Sequence, residues 1–438
     1  MPPAAKGRVI IIGGGLAGVT AALAALDRGV PVLLLDRGGL GLGTNSALAN
    51  GVFAAPTPWH DPRQYQEVTF ETGKRLNRPA LVAAAAAQAA EAFAFLRPHG
   101  LDLIPGDNTY SYNSPRPDVF RGAEMMRALA ASLRGRAGFT FQGGFQAREL
   151  VVRDGRVTGV RGWDRFGRLL EFSASAVVLA SGGAAAVYAR NDNQKSSLGQ
   201  GWLLAARAGL PLWDLEFVQF YPLVLDQPGL PRVMLYPSYP PQARLLDSQG
   251  RDLATAHGLG DLNQAIQMLR DAFAILVHRA GRDGPVHLDY TAVPAELWSR
   301  YPMALMRTYR HDFRRQPVRV APGAHFCMGG LRIDTNGRSD LPGLLACGEA
   351  AWGLHGANRR GGNALTECVV FGMLAGREAA NQAGLFPVKG DERELSPRPS
   401  ADPAPGSPYR ALLERLRTIA WRRAGLERDA AGITAGLT

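Results

Sequence analysis

The opening of the chain narrows its fold more than any other stretch. Residues 8–12, "RVIII", are a β-branched run that reads as a buried strand. Residues 17–28, "AGVTAALAALDR", predict a helix, and residues 31–36, "PVLLLD", predict a second strand. Between the first strand and the helix stand Gly13, Gly15 and Gly18 in the order GxGxxG, and Asp36 closes the second strand. A βαβ unit with this punctuation suits a dinucleotide. The glycines let a pyrophosphate approach the helix N-terminus, and the acid accepts hydrogen bonds from a ribose. Leu16, Ala17 and Arg37 flank those positions and are counted with the cofactor site. The motif alone does not separate a nicotinamide from a flavin dinucleotide.

With 438 residues the chain is expected to hold more than one domain, and 46% hydrophobic with 20% charged residues is an ordinary soluble composition. The formal net charge is +11. No run of Lys or Arg and no alternation of basic with aromatic residues accompanies it, so nucleic acid is not expected and solvated surface charge is the reading. Cys327, Cys347 and Cys368 are the only cysteines and none forms a CxxC pair. A disulfide framework, an iron–sulfur cluster and a metal site are not expected, and a reducing cytoplasm fits. The aliphatic run before Gly13 is too short for a signal peptide, and nowhere do eighteen apolar residues run together, so no transmembrane segment is expected.

Further along, residues 80–97, "ALVAAAAAQAAEAFAFLR", predict a strong helix, and 147–180 read as hairpins and strands. From about 222 to 320 the texture becomes proline-studded and then helical, as in a separate lobe, before strands and glycines return at 325–375. Residues 386–407 read as a Pro-rich linker. The C-terminal segment 408–438 predicts one helix, whose face of Leu412, Leu413, Leu416, Ile419 and Ala420 is expected to dock on its own chain.

Residues 353–368, "GLHGANRRGGNALTEC", set His355, Arg359 and Arg360 among glycines, which suits close approach of an anion. This stretch belongs to an ordered set: "GTNSALANGVFAA" (43–55), "VVLASGGAAAVY" (177–188), "SSLGQGWLLAARAGLPLWDLEFVQFYP" (196–222) and 324–372 with "HFCMGG" and "CGEAA". Over nearly its whole length the chain resembles the flavoproteins of the succinate dehydrogenase, fumarate reductase and L-aspartate oxidase family. The resemblance implies an α/β fold: a Rossmann-like FAD-binding domain (1–221 and 322–385), interrupted by an α+β capping domain (222–321), with a short C-terminal helical tail. It implies FAD as cofactor and an active site between the two domains. Gly348 and Glu349 would meet the ribityl–phosphate region, and Asn363, Ala364 and Leu365 the isoalloxazine ring. Thr44, Asn45 and Ser46 would line the flavin's other side, with Gly51, Ser181, Gly182 and Gly183 also in the cofactor site. Asn45 falls where membrane-bound members carry a flavin-linking histidine, so the FAD is expected to be non-covalent. His325, His355 and Arg359 match positions that bind a substrate carboxylate, while Arg360 falls where relatives have an apolar residue and is given no role.

The resemblance breaks at the proton machinery. Alignment sets Ala265 at the family's catalytic arginine, between Gln264 and Gln267; Arg270 follows one and a half turns later and a register slip would promote it. Tyr236 and Tyr239 replace the acid and arginine of the proton-feeding loop, and Tyr221 replaces a substrate histidine. The expectation is therefore an FAD-dependent oxidoreductase exchanging a hydride between flavin N5 and a small carboxylic acid, departing from standard fumarate, succinate and aspartate chemistry. Tyr221, Tyr236 and Arg270 are its proton-transfer candidates. The alternative is an electron-transfer subunit of a larger redox complex, held at the membrane periphery by a partner. The chain stops where the family's helical C-terminal domain begins, which suits either a compact variant or helices supplied by that partner. A non-enzymatic FAD scaffold is the third reading.

Overall fold

Strands with almost no polar residue locate the main core. The computed structural model describes residues 7–236, 238–388, 390–397 and 408–437. The elements that position the site are β1 (Val9–Ile12), α1 (Leu16–Asp27), β2 (Val32–Leu35), α2 (Pro79–Leu96), β3 (Phe139–Gln142), β4 (Ala176–Leu179), α3 (Leu262–Asp283), β5 (Leu344–Ala346) and α4 (Asn363–Leu385). The five strands form one parallel sheet in the order β5-β4-β1-β2-β3, with Val9 opposite both Val32 and Ala176. Parallel strands covered on both faces must be apolar throughout, and "VIII", "VLLL" and "AVVL" are fully buried.

Small residues set the layer above the sheet. α1 and α4 approach so closely that a Cβ on Gly376 would lie 2.3 Å from the Ala21 carbonyl oxygen. α2 is, among the described residues, the helix long and apolar enough to cross a membrane. Its Leu81, Ala85, Ala89, Phe93 and Leu96 are instead packed into the main core.

A second core lies between Tyr221 and Val320 in sequence and includes Leu245, Ile266, Phe273, Tyr290 and Phe313. It is built on a four-stranded antiparallel sheet in which Val218–Leu225 pairs with Val318–Cys327, followed by Val286–Asp289 and Arg244–Leu246. The first two strands run from a third, smaller core that holds Phe220, Ala324 and Cys327 into this lobe. α3 packs across them.

Two expectations near the C-terminus need correction. Within the segment read as a linker, Glu392–Pro397 is a strand that pairs antiparallel with Arg168–Ser173; residues 398–407 lie outside the described residues. Backbone pairing at a sheet edge needs no hydrophobic pattern, so composition misses it. The tail holds two helices, Pro408–Arg423 and Ala430–Leu437. It docks through Ala420, Trp421 and Leu426 against Tyr188, Trp202 and Phe220, while Leu412 and Leu416 are exposed.

Candidate active site

The turn after β1 is the start of a long cavity of about 630 Å³. Gly13 has φ +116°, and a Cβ there would meet the Ala180 carbonyl at 2.2 Å; a Cβ on Gly18 would lie 1.9 Å from the Gly13 carbonyl. These glycines let α1 begin directly behind the strand with no acidic residue in its first turn. Gly13, Gly15, Leu16 and Ala17 line the cavity there. The Asp36 carboxylate is fixed at the end of β2, accepting from the Gly14 amide (2.7 Å) and the Gly38 amide (2.6 Å). Ser46 Oγ accepts from the Leu16 amide (3.0 Å), which draws the 44–46 segment onto the helix N-terminus.

Of the residues assigned to the cofactor from sequence, Arg37, Thr44, Asn45, Ser46, Ser181, Gly182 and Glu349 also line this cavity. Gly18, Gly51, Gly183, Gly348 and Asn363 do not. Gly183 leaves room for Glu349, whose Oε1 a Cβ there would meet at 2.4 Å, and Gly348 packs on Ala17. Gly51 turns the chain against Arg121. Asn363 is buried at the start of α4, where its Oδ1 accepts from the Tyr65 hydroxyl (3.1 Å). Gln194 to Ser197 and Phe145 to Ala147 line the cavity without having been singled out. They come from loops whose contact with the β1–α1 turn no local pattern announces. Among the described residues the Ser181 hydroxyl is buried with no hydrogen-bond partner. An unsatisfied polar group, glycine backbone and a helix N-terminus in one long cavity fit a phosphate-bearing dinucleotide.

At Asn45, Ser46, Glu349 and Cys368 this cavity meets a second chamber of about 200 Å³. Ala364 and Leu365 line the chamber, at the start of α4. Arg359 enters it from the glycine-rich loop and is buried. Gln219 holds that loop: its amide donates to the Asn358 side chain (2.6 Å) and the Arg359 carbonyl (2.9 Å), while its Oε1 accepts from Arg359 Nη2 (2.8 Å). The guanidinium also lies over the Phe326 ring, 4.5 Å from its centroid. Its Nε is buried without a partner.

Arg270, and not Ala265, is the α3 residue that reaches the chamber; Ala265 is buried in the second core. α3 breaks its helical geometry at Leu269 (φ −131°, ψ 27°), one residue before Arg270. Arg270 Nη1 donates to the Arg359 carbonyl (3.3 Å), and its Nε is also buried without a partner. Among the described residues no carboxylate lies within ion-pair distance of either arginine. Burial, reinforced by Arg270 alongside, pushes the Arg359 guanidinium down to about 9; burial also lowers Arg270. Two neighbouring cations, one buried and one half-buried, with no carboxylate at ion-pair distance among the described residues call for an anion.

His325 stands on the chamber wall with Nδ1 2.8 Å from Asp192 Oδ2, which leaves Nε2 for a ligand. Asp192 is buried and is itself held by Asn193 Nδ2 (3.1 Å). Asn193 Oδ1 accepts from the Asn45 amide (2.5 Å), so a hydrogen-bonded chain joins the cofactor side to His325. Gln219, Asp192 and Asn193 were not recognised in the sequence. A buried Gln in the otherwise apolar "VQFYPLVL" was the one available signal.

His355 is not in the chamber. Its Nε2 faces Glu367 Oε2 at 3.0 Å in the core, and its ring packs edge-on against Phe326, the ring beneath Arg359. The histidine buttresses the arginine's platform. Arg360 is a structural tie, reaching the main-chain oxygens of Tyr65 (3.4 Å) and Asn108 (3.3 Å). Tyr221 and Tyr236 do line the chamber, but their hydroxyls are committed: Tyr221 donates to the Leu235 carbonyl (3.1 Å) and Tyr236 to the Leu48 carbonyl. Burial pushes both phenols, and Tyr239, well above the usual range.

Comparison with known proteins agrees with this geometry. The family described as an FAD binding domain matches residues 8–365. An L-aspartate oxidase of Agrobacterium fabrum is 33% identical over 97% of this chain and 82% of its own length. One of the subunits of a Methanothermobacter marburgensis fumarate reductase (CoM/CoB) is 32% identical over 86% of this chain and 72% of its own. A solved E. coli quinol fumarate reductase shares the fold, with TM-score 0.83 and 24% identity over 98% of this chain and 81% of that one. Fold, cavity and relatives define an FAD-dependent oxidoreductase. The chain belongs to the flavoprotein family of the fumarate reductases and L-aspartate oxidases.

Proposed function

We propose that the protein oxidises or reduces a small carboxylic acid held between Arg359, Arg270 and His325, beside a non-covalently bound FAD. FAD, when bound, supplies a two-electron acceptor or donor for a hydride. The observation that carries the reading is a pair of guanidinium groups, Arg359 buried and Arg270 half-buried, that among the described residues have no carboxylate within ion-pair distance, in a chamber continuous with the cofactor cavity. Arg359 would form a charge-assisted clamp on the substrate carboxylate, with His325 Nε2 as a further donor oriented through Asp192. The hydride must be matched by a proton on the neighbouring atom, and Arg270 is the group best suited to move it. Its burial lowers the cost of giving up a proton, whereas the tyrosines are pushed the other way and have spent their hydrogen on main-chain carbonyls. Asn45 has no nucleophilic atom and its amide is bonded to Asn193, which supports a non-covalent flavin.

The test is anaerobic. Carboxylic acids are added to the FAD-loaded protein and bleaching of the visible flavin band is followed, with unsaturated acids added after chemical reduction to cover the reverse direction. Arg359→Ala should retain the flavin and weaken acid binding about a hundredfold, as for loss of one partner of a buried charged pair. Acid binding that is unaffected in that variant would overturn the clamp. Silence of the wild type in both directions would overturn the whole reading.

A further inference from the structure

We infer that the acid taken by this chamber carries a single carboxylate and an uncharged, largely apolar body. The inference rests on the reading of Arg359 and His325 as the carboxylate site. All the cationic side chains of the lining are gathered together: Arg270 bonds the Arg359 carbonyl, and Phe326, adjacent to His325, lies under the Arg359 guanidinium. The wall beyond them is Leu48, Val52, Val233, Met234 and Tyr236, tied together where the Tyr236 hydroxyl meets the Leu48 carbonyl. Nothing on that wall is charged.

The tyrosines cannot supply the missing donor. A hydroxyl has one proton to give, and those of Tyr221 and Tyr236 already go to main-chain oxygens. Neutral donors that remain, such as the Asn50 amide, do not balance a charge. Asp192 adds a buried carboxylate to the same lining, and Glu349 another acid whose burial favours its neutral form. Asp192 is the partner of His325, and the two guanidinium groups meet at one end of the chamber, where Arg270 Nη1 bonds the Arg359 carbonyl, so together they serve one carboxylate. A second carboxylate on the substrate would be stripped of water beside Leu48 and Met234 with no cation to meet it. An alkyl or aryl group there would gain apolar contact.

The test compares acids of matched shape on the FAD-loaded protein under anaerobic conditions. Perturbation of the visible flavin band is titrated with butanoate, succinate and 3-phenylpropanoate, so binding is read without turnover. Butanoate should bind at least tenfold more tightly than succinate, and 3-phenylpropanoate more tightly still. Met234→Arg, which sets a cation on the apolar wall, should move the succinate-to-butanoate ratio at least tenfold towards succinate. If succinate binds as well as or better than butanoate in the wild type, the inference fails while the carboxylate reading stands. If no acid perturbs the flavin, the underlying reading fails with it. A folded Met234→Arg variant with an unchanged ratio also overturns the inference, and if that variant does not fold the wild-type titration decides.

Discussion

The two cavities of this molecule touch at Asn45, Ser46, Glu349 and Cys368, yet they are built in opposite ways. The cofactor cavity is largely made of backbone: a strand end, a helix N-terminus and glycines that let a ligand approach the chain. The second chamber, the proposed substrate site, is made of side chains brought from distant places, with Arg270 on α3, His325 on a strand and Arg359 on a loop. Backbone sites tolerate little change in shape, because a methyl group has nowhere to go. Side-chain sites tolerate changes of shape better than changes of charge. Substitutions should therefore separate into two kinds, and the separation can be attacked from either side.

The largest effect is expected at Gly18. A Cβ there would press on the Gly13 carbonyl at 1.9 Å, and neither backbone can yield without parting α1 from β1. Gly18→Ala should purify without flavin and lose all activity, as read from the absorbance ratio of the visible and protein bands. A flavin-replete Gly18→Ala protein would break the backbone account. Arg270→Ala comes next. It should lower turnover by about 10²–10⁴-fold, the usual value of a positioned proton donor, with flavin content unchanged. Loss of flavin in that variant would mean that the two cavities are not separable.

Glu349 sits where the cavities meet and gives a smaller, pH-dependent effect. Burial raises its carboxyl from 4.5 to about 7, offset in part by the Cys327 amide and the Arg359 guanidinium. Between those values the folded protein holds a proton that the unfolded chain has released. Stability must then fall as pH rises across that window, and Glu349→Gln should remove the fall. The difference at the upper end is on the order of 3 kcal/mol. Denaturant unfolding of the flavin-free protein at pH 4.5, 6 and 7.5 would measure it. Parallel pH profiles for the two proteins would show that Glu349 is solvated or paired on the time scale of unfolding.

This division also explains what could be read from the sequence. The β1–α1–β2 unit, its glycines and Asp36 are adjacent in sequence and obey local rules, so the turn that opens the longer cavity was legible. The chamber was legible only where a resemblance supplied it, and that route erred where local geometry departs. Alignment sets Ala265 at the expected arginine and keeps Arg270 as the register alternative; α3 breaks at Leu269, and Arg270 is the one of the two that lines the chamber. His355 follows a binding pattern in sequence, yet Glu367 on the first turns of α4 claims it in the core. Asp192 carries no local signature, and Gln219 only that of a polar residue in an apolar strand. Their importance comes from partners 133 and 140 positions away.

The smallest predicted change is the most direct test of where the proton comes from. Three tyrosines, Tyr221, Tyr236 and Tyr239, lie near the chamber in place of the acid, arginine and histidine that the resemblance leads one to expect. Phenols can transfer protons, so a reading by residue type makes them the chemistry of the site. Their hydrogen bonds argue otherwise. Tyr236 gives its proton to the Leu48 carbonyl, and its ring packs on Phe120 and Tyr301, at centroid distances of 6.2 and 5.7 Å. Removing its hydroxyl leaves the ring contacts and orphans one carbonyl, a loss of about 1 kcal/mol in stability. Tyr236→Phe should therefore fold, keep its flavin and turn over within about tenfold of the wild type, well inside the 10²–10⁴ range of a true proton donor. A loss as large as that of Arg270→Ala would make Tyr236 a member of the proton path. It would also mean that the Leu48 bond opens during the reaction.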